Sequence, residues 1–282
     1  MNKFVTLLGL ALATLLPACC VHSALVHPAP RQTLPEQLME TTVALDRWVG
    51  VVGHDEDGDP EYDEVDPEKD PKAELKSYCT GVWVSRDTIL TAEHCVHDLG
   101  QPKEHLVEKL LRALIGEPEP KWDPTGQPVF FSVYGDVKDE SSGKRYRTAR
   151  NGKVHVVDRE HDLALVKVTD RDIPRHPVAY VASEVHPGED VHIVGHPVGL
   201  WWSYTHGWVS QIRPHAAGPD DSHRDTIQVS APVWFGNSGG GAFNANGELI
   251  GISSFLRRGP NLAFFVDHNT IRHFLAENGI RR

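Results

Sequence analysis

The sequence predicts an all-β fold, and two observations support that prediction. Short runs of β-forming residues recur along most of the chain, and glycine, proline and aspartate separate them. Only two stretches have the apolar spacing of a helix. Many short strands joined by such turns are typical of a β-sandwich or β-barrel. The 282 residues suffice for one large β domain or two ordinary ones.

The predicted strands form two series along the chain. The first comprises Thr41–Leu45, Trp48–Val52, Gly81–Val84, Thr88–Thr91, Val129–Tyr134, Val154–Val157 and Leu163–Val168. The second comprises Val178–Val181, Asp190–Val194, Ser203–Ile212, Thr226–Val229, Gly241–Phe243, Leu249–Ser253 and Ala263–Val266. An acidic stretch from His54 to Lys76 interrupts the first series and predicts a solvated loop. A calcium loop is the alternative, although Pro60 stands where the turn of an EF-hand loop needs glycine.

Two helices are predicted among these strands. His105–Ile115 has a one-sided apolar stripe, and we expect it to pack on the first series of strands, with a lid or a partner surface as the alternative. Thr270–Glu277 is followed by Asn278 and Gly279, which commonly end a helix.

The N-terminal residues predict export. An apolar run from Phe4 to Leu16 follows Lys3 and is too short to span a bilayer, which is typical of a signal peptide over residues 1–24. Residues 25–40 contain several prolines and predict a tether or pro-segment before a domain over residues 41–282.

Two forms of the exported protein are open. Cys19 follows Leu-Pro-Ala, a pattern similar to a bacterial lipobox, which would give a lipid anchor in the periplasm or on the outer surface. Ordinary cleavage after Ser23 or Ala24 would give a secreted protein without the anchor.

Composition argues against nucleic acid and metal as partners. The formal net charge is −11, and Lys and Arg form no cluster that would bind phosphates. The 17 histidines are scattered. His94 with His97, or His192 with His196, could pair, but neither pair has a third ligand with zinc spacing. The sequence therefore predicts neither a metal nor a cofactor.

Cys79 and Cys95 flank a short β-rich stretch. In an exported protein two such cysteines predict a disulfide, with two buried free thiols as the alternative.

A glycine-rich turn contains the candidate nucleophile, Ser238. Gly236 and Asn237 precede this serine, and Gly239 and Gly240 follow it. A tight turn of this kind exposes a serine hydroxyl and lets backbone N–H groups converge on an oxyanion. A plain hairpin turn is the alternative for this segment alone.

A weak nucleophile needs a base, and the base needs a carboxylate to orient it. His94 follows an apolar strand, and Asp162 stands just before the apolar run Leu163–Val168. The order His94, Asp162, Ser238, each at a predicted strand end, is the order of the chymotrypsin triad.

These motifs together resemble those of trypsin-like serine peptidases, and more closely the bacterial HtrA-like and glutamyl-endopeptidase-like branches. The resemblance covers residues 40–278. It rests on the segments Cys79–Cys95, Asp162–Leu165, Gly195–Gly199 and Gly236–Gly240. A PDZ-like region is not predicted.

The resemblance implies a fold of two packed six-stranded antiparallel β-barrels of the chymotrypsin type. The first barrel would cover about residues 41–170 and the second about 176–267, with a C-terminal helix over about 268–278.

The resemblance also implies the role of each site residue. His94 would be the general base, Asp162 its orienting carboxylate and Ser238 the nucleophile. The backbone N–H groups of Gly236 and Ser238 would form the oxyanion hole.

The chain departs from the family pattern at two places near the site. Glu93 stands where a small residue usually precedes the histidine. Facing the cleft, it would raise the pKa of the imidazole; facing solvent, it would have no effect. His196 replaces a common asparagine, and no consequence is predicted.

The resemblance places Pro232 at the base of the specificity pocket and Ser253, Ser254 and Phe264 on its walls. None of these residues is acidic, which argues against cleavage after Arg or Lys. Ser253 stands where glutamyl endopeptidases have a pocket histidine, which argues against glutamate. The expected preference is a small or medium apolar side chain.

The sequence thus predicts an exported serine endopeptidase that acts on polypeptides through an acyl-enzyme. A catalytically silent binding protein with the same fold is the alternative from another class. An esterase is a further alternative, although strands rather than a nucleophile-elbow helix surround the serine.

Overall fold

The structure, a computed structural model, consists mainly of β-strands between two short helices. It describes residues 32–54, 60–65, 72–99, 122–135, 137–139, 145–147, 149–218, 222–259 and 261–281. Helix α1 covers Leu34–Thr41 and helix α2 covers His268–Glu277. The helix predicted over His105–Ile115 lies outside the described residues.

The first nine strands form a closed barrel with two additions. They are β1 (Thr42–His54), β2 (Pro60–Glu64), β3 (Glu74–Ser85), β4 (Thr88–Thr91), β5 (Pro128–Val133), β6 (Val137–Asp139), β7 (Arg145–Arg147), β8 (Arg150–Asp158) and β9 (Leu163–Val168). The barrel order is β1-β3-β4-β9-β8-β5, and β5 pairs with β1 to close it. Strand β2 pairs with β1 outside this ring, and β6 and β7 form a separate ribbon.

The remaining strands form a second closed barrel. They are β10 (Asp190–Gly195), β11 (Ser203–Ala217), β12 (His223–Val229), β13 (Gly241–Phe243), β14 (Leu249–Leu256) and β15 (Ala263–Asp267). All pairings in both barrels are antiparallel. The two six-stranded barrels followed by a C-terminal helix confirm the predicted fold class.

Three apolar clusters hold the fold together: one inside each barrel and one between the barrels and the helices. Strand β9 contributes to two of them. Leu163 and Leu165 point into the cluster between the barrels, while Ala164 and Val166 point into the first barrel. Since successive side chains of a strand face opposite sides, a strand buried on both sides is apolar at every position. This explains the uninterrupted apolar run that follows Asp162.

Residues 34–40, predicted as part of a tether or pro-segment, instead begin helix α1 in the structure. Thr33 and Glu36 form a capping box at its start, and Pro35 stands in its first turn. Leu38 is 2% exposed and packs in the cluster between the barrels. Pro35 therefore stands in the first turn of a helix that packs against the barrels.

Two further segments differ from the sequence prediction. Part of the acidic stretch, Pro60–Glu64, is a strand that pairs with β1 rather than a loop. Val178–Val181 is not a strand; Val181 forms only an isolated bridge to Leu249.

Candidate active site

The side chains of His94 and Asp162 meet where two neighbouring strands end. His94 lies in the 3-10 turn Glu93–Cys95 after β4, and Asp162 precedes β9. These strands are antiparallel neighbours, so the end of β4 lies beside the start of β9. His94 Nδ1 is 3.0 Å from each carboxylate oxygen, and the backbone N–H of His94 donates to Oδ1 at 3.1 Å. With Nδ1–H directed at the carboxylate, neutral His94 has Nε2 as its acceptor.

Asp162 has a second side-chain donor that the sequence did not predict. The carboxylate is buried, with the residue 4% exposed, and a buried carboxylate needs hydrogen-bond donors. Ser254 Oγ donates to Asp162 Oδ2 at 2.5 Å. Ser254 was expected on the wall of the specificity pocket, but its hydroxyl is directed at Asp162. It therefore fixes the carboxylate that orients His94.

Three charged side chains act on the pKa of His94. Burial alone would lower this pKa, but the hydrogen bond and the charge of Asp162 raise it, and the charge of Glu93 raises it further. Arg224 acts in the opposite direction. The net result is a pKa above the ordinary value for histidine. The carboxylate of Glu93 is buried, with a side-chain exposure of 9%, and its charge acts on the imidazole.

The turn around Ser238 has two backbone N–H groups without acceptors. The carbonyl oxygens of Phe235, Gly236, Asn237 and Ser238 all accept hydrogen bonds. The N–H groups of Asn237, Gly239 and Gly240 all donate. Within the described part of the chain, the N–H groups of Gly236 and Ser238 have no acceptor. Two such donors next to a serine hydroxyl could bind an oxygen atom that becomes negatively charged.

Thr80 of strand β3 holds this turn from the first barrel. Its N–H donates to Ser238 O at 2.8 Å, and its hydroxyl donates to Gly236 O at 2.7 Å. His196 Nδ1 lies 3.0 Å from the same hydroxyl. Since the single hydroxyl hydrogen is directed at Gly236 O, His196 Nδ1–H is the donor in this contact. His196 is fully buried.

This role of Thr80 and His196 was not predicted from the sequence. A polar residue directly after Cys79 and before the run Gly81–Val84 was the available signal for Thr80. The close approach of the two segments also explains Gly239. A Cβ atom at Gly239 would lie 2.4 Å from Thr80 O, and its φ of +78° is one that side chains rarely adopt.

The other three predicted pocket residues differ in their surroundings. The backbone of Ser253 in β14 pairs with the turn, since Gly239 N–H donates to Ser253 O and Ser253 N–H donates to Gly240 O, both at 2.8 Å. Phe264 of β15 is buried and stacks on Phe255, with ring centroids 4.8 Å apart. Pro232, the predicted pocket base, is exposed.

Cys79 and Cys95 form a disulfide. It joins the strand that contains Thr80 to the turn that contains His94. Among the described residues, Cys79, His94 and Cys95 also form a group whose ligand atoms lie within 4.8 Å of one another. Sulfur atoms bonded to each other are not thiolates, so this group does not offer a metal site.

Residues 79–252, more than half of the chain, match the trypsin-like peptidase domain family. The chain belongs to this family. It is 36% identical over 140 residues to serine protease HTRA1B of Danio rerio, a match that covers 48% of this chain and 29% of that protein. It is 30% identical over 174 residues to the putative serine protease HhoB of Synechocystis, covering 57% of this chain and 41% of that protein. The matches thus span less than half the length of these relatives.

Two solved structures have a similar fold. The crystal structure of Deg5 superposes with a TM-score of 0.52 at 18% identity, covering 87% of this chain and 93% of that chain. The inactive form of Rv3671c from M. tuberculosis H37Rv superposes with a TM-score of 0.54 at 16% identity, covering 87% of this chain and 90% of that chain. At these identities the similarity concerns the fold.

None of the described helices has the length and apolar character needed to cross a membrane.

Proposed function

We propose that this chain is an exported serine endopeptidase that hydrolyses polypeptides through an acyl-enzyme. The observation that supports the proposal best is the contact between His94 and the buried carboxylate of Asp162. Cys95, the residue after His94, has its Sγ 3.5 Å from Ser238 O. Membership of the trypsin-like peptidase domain family supports the same class of reaction.

In the first half of the proposed reaction, Ser238 Oγ attacks the carbonyl carbon of a peptide bond. His94 Nε2 takes the hydroxyl proton and then gives it to the departing amine. Asp162 holds the imidazole through Nδ1 and stabilises the imidazolium that forms. Ser238 Oγ and His94 Nε2 form no hydrogen bond in the structure. Such bonds commonly tighten only when substrate binds.

The N–H groups of Gly236 and Ser238 act as the proposed oxyanion hole. Both are without acceptors among the described residues, so no existing hydrogen bond has to break when the oxyanion forms. One donor of this kind contributes about 3 kcal/mol to transition-state stabilisation. In the second half of the reaction His94 activates a water molecule, which releases the acyl group from Ser238.

The proposed substrates are polypeptides with a small or medium apolar side chain before the scissile bond. Pro232, Ser253, Ser254 and Phe264 are the uncharged residues proposed for this pocket, and the hydroxyl of Ser254 also donates to Asp162.

Export is proposed from the sequence of residues 1–24. The two forms, with a lipid on Cys19 or cleaved after Ser23 or Ala24, differ in the N-terminus of the mature chain. To distinguish the two forms, the full chain would be expressed in a bacterial host and the mass of the mature protein measured. An intact N-terminus in the cytoplasmic fraction would contradict export.

Hydrolysis of unfolded casein by the purified protein tests the proposed activity. We expect fragments from the unchanged protein, none from S238A, and a rate about 10⁴-fold lower from D162N, because the imidazole loses its orienting carboxylate. S210A is the matched control, since Ser210 is an exposed serine on β11. Intact casein with the folded, unchanged protein would contradict the proposal and favour the silent binding protein.

A further inference from the structure

Glu93 is a buried carboxylate directly before the proposed base. Its side chain is 9% exposed, and Oε1 accepts from Arg159 Nε at 3.1 Å. His97 Nδ1 lies 3.1 Å from the same oxygen. Arg159 belongs to the segment between β8 and β9, three residues before Asp162, and its side chain is 34% exposed. The ion pair therefore joins the turn of His94 to the segment that contains Asp162.

The charged and titratable groups around His94 come from several described elements. The 3-10 turn contributes Glu93, and His97 follows that turn. The segment between β8 and β9 contributes Asp162 and Arg159, and strand β12 contributes Arg224. His161, in the same segment as Arg159, contacts Asp158, the last residue of β8. Its backbone N–H donates to Asp158 Oδ1 at 3.1 Å, and its Nδ1 lies 2.8 Å from Oδ2.

We propose that Glu93 and Arg159 are positioning residues that together set the basicity of His94. This inference rests on the proposed function, in which His94 is the general base. A buried carboxylate close to an imidazole favours its protonated form, because the effective dielectric inside a protein is well below that of water. Arg159 offsets part of that charge.

The two residues should therefore have opposite effects. Replacement of Glu93 by Gln removes the negative charge and leaves the positive charge of Arg159, so His94 becomes less basic. Replacement of Arg159 by Gln removes the guanidinium that contacts Glu93 Oε1 at 3.1 Å and leaves the negative charge of Glu93, so His94 becomes more basic. A purely structural role for the ion pair predicts no such difference in direction, since both substitutions break the same contact.

The test is the pH dependence of labelling by a fluorophosphonate serine probe, measured on the full chain. The rate falls at acid pH as the base becomes protonated, and below the midpoint of this fall it changes tenfold per pH unit. We expect E93Q to retain a larger fraction of its plateau rate in the acid range than the unchanged protein, by about twofold or more. R159Q should retain a smaller fraction. E93D and R159K, which keep the charges, should follow the unchanged protein.

A second readout does not depend on activity. In the S238A background, NMR titration of the His94 ring, assigned with an H94Q variant, should give a lower midpoint for E93Q and a higher one for R159Q. If E93Q does not fold, R159Q against R159K still decides the question. Unmoved midpoints, or midpoints that move in the same direction in both variants, would overturn the inference.

The outcomes separate this inference from the proposed function. Absence of labelling in the folded, unchanged protein, or labelling that persists in S238A, would contradict the proposed function. Labelling that depends on Ser238 but has the same pH midpoint in all variants would contradict only the role of Glu93 and Arg159.

Discussion

Substitution of Thr80 by Val tests whether the turn of Ser238 needs the hydrogen bond that holds it. Valine has the shape of threonine but lacks the hydroxyl. The Gly236 carbonyl would lose its donor at 2.7 Å, and His196 Nδ1 would lose its contact at 3.0 Å. The backbone bond from Thr80 N–H to Ser238 O would remain.

The magnitude follows from two separate effects. A buried polar group that loses its partner destabilises the fold by about 1–3 kcal/mol. The released carbonyl belongs to the Gly236–Asn237 peptide, which lies between the two peptides that contain the Gly236 and Ser238 N–H groups. Rotation of this peptide would displace its neighbours and misdirect an N–H group of the proposed oxyanion hole, and loss of one such donor lowers the rate by about 10²–10³-fold. Since the turn retains its other hydrogen bonds, we expect a decrease between about tenfold and several hundredfold in T80V.

The assay is the rate of fluorophosphonate labelling at a pH where this rate has reached its plateau, together with the free energy of unfolding in urea. T80S is the matched control, because serine keeps the hydroxyl and loses only a methyl group, and we expect it to label close to the unchanged rate. If T80V is folded and labels as fast as T80S, the hydrogen bond from Thr80 to Gly236 is not needed to hold the turn of Ser238.

Four further predictions address other parts of the structure. S254A should lower the labelling rate about 10–100-fold, since a hydrogen bond to a charged group is worth about 1.5–3 kcal/mol; an unchanged rate would contradict its role. The double variant C79A/C95A should lose about 3 kcal/mol of unfolding free energy, as calculated for a sequence separation of 16, and a loss below about 1 kcal/mol would contradict this value. L38A should lose about 2–5 kcal/mol and L38M less than about 1.5, whereas equal stability of L38A and the unchanged protein would show that α1 does not belong to the folded domain. The raised pKa of His94 should stabilise the fold fully below the unfolded value of about 6.5, and this stabilisation should be lost as pH rises through the folded value; the difference in melting temperature between H94Q and the unchanged protein should therefore be larger at about pH 5.5 than at about pH 9, and a constant difference would contradict it.

The parts of the fold that could be predicted from the sequence are those with a local pattern. The apolar run Leu163–Val168 is visible because β9 is buried on both sides. His94 and Asp162 each stand next to such a run, so their places at strand ends follow directly. The start of helix α1 also has a local signal, the capping box of Thr33 and Glu36. The prolines of residues 25–40 favoured a tether instead.

The contacts that the sequence analysis missed join residues far apart in the chain. Ser254 reaches Asp162 across 92 positions, and Thr80 reaches Gly236 across 156 positions. Such contacts depend on the register of strands and on how the two barrels meet, and no spacing in the sequence encodes them. The resemblance placed Ser254 on the wall of the specificity pocket and did not indicate that its hydroxyl donates to Asp162.

The proposal that Ser238 is the nucleophile is tested by identifying the residue that a fluorophosphonate probe modifies. The full chain would be labelled at neutral pH and the modified peptide sequenced by mass spectrometry. We expect a single adduct on Ser238 that is absent in S238A and forms much more slowly in D162N. Folded protein that remains unlabelled, or an adduct on another serine that persists in S238A, would contradict the account.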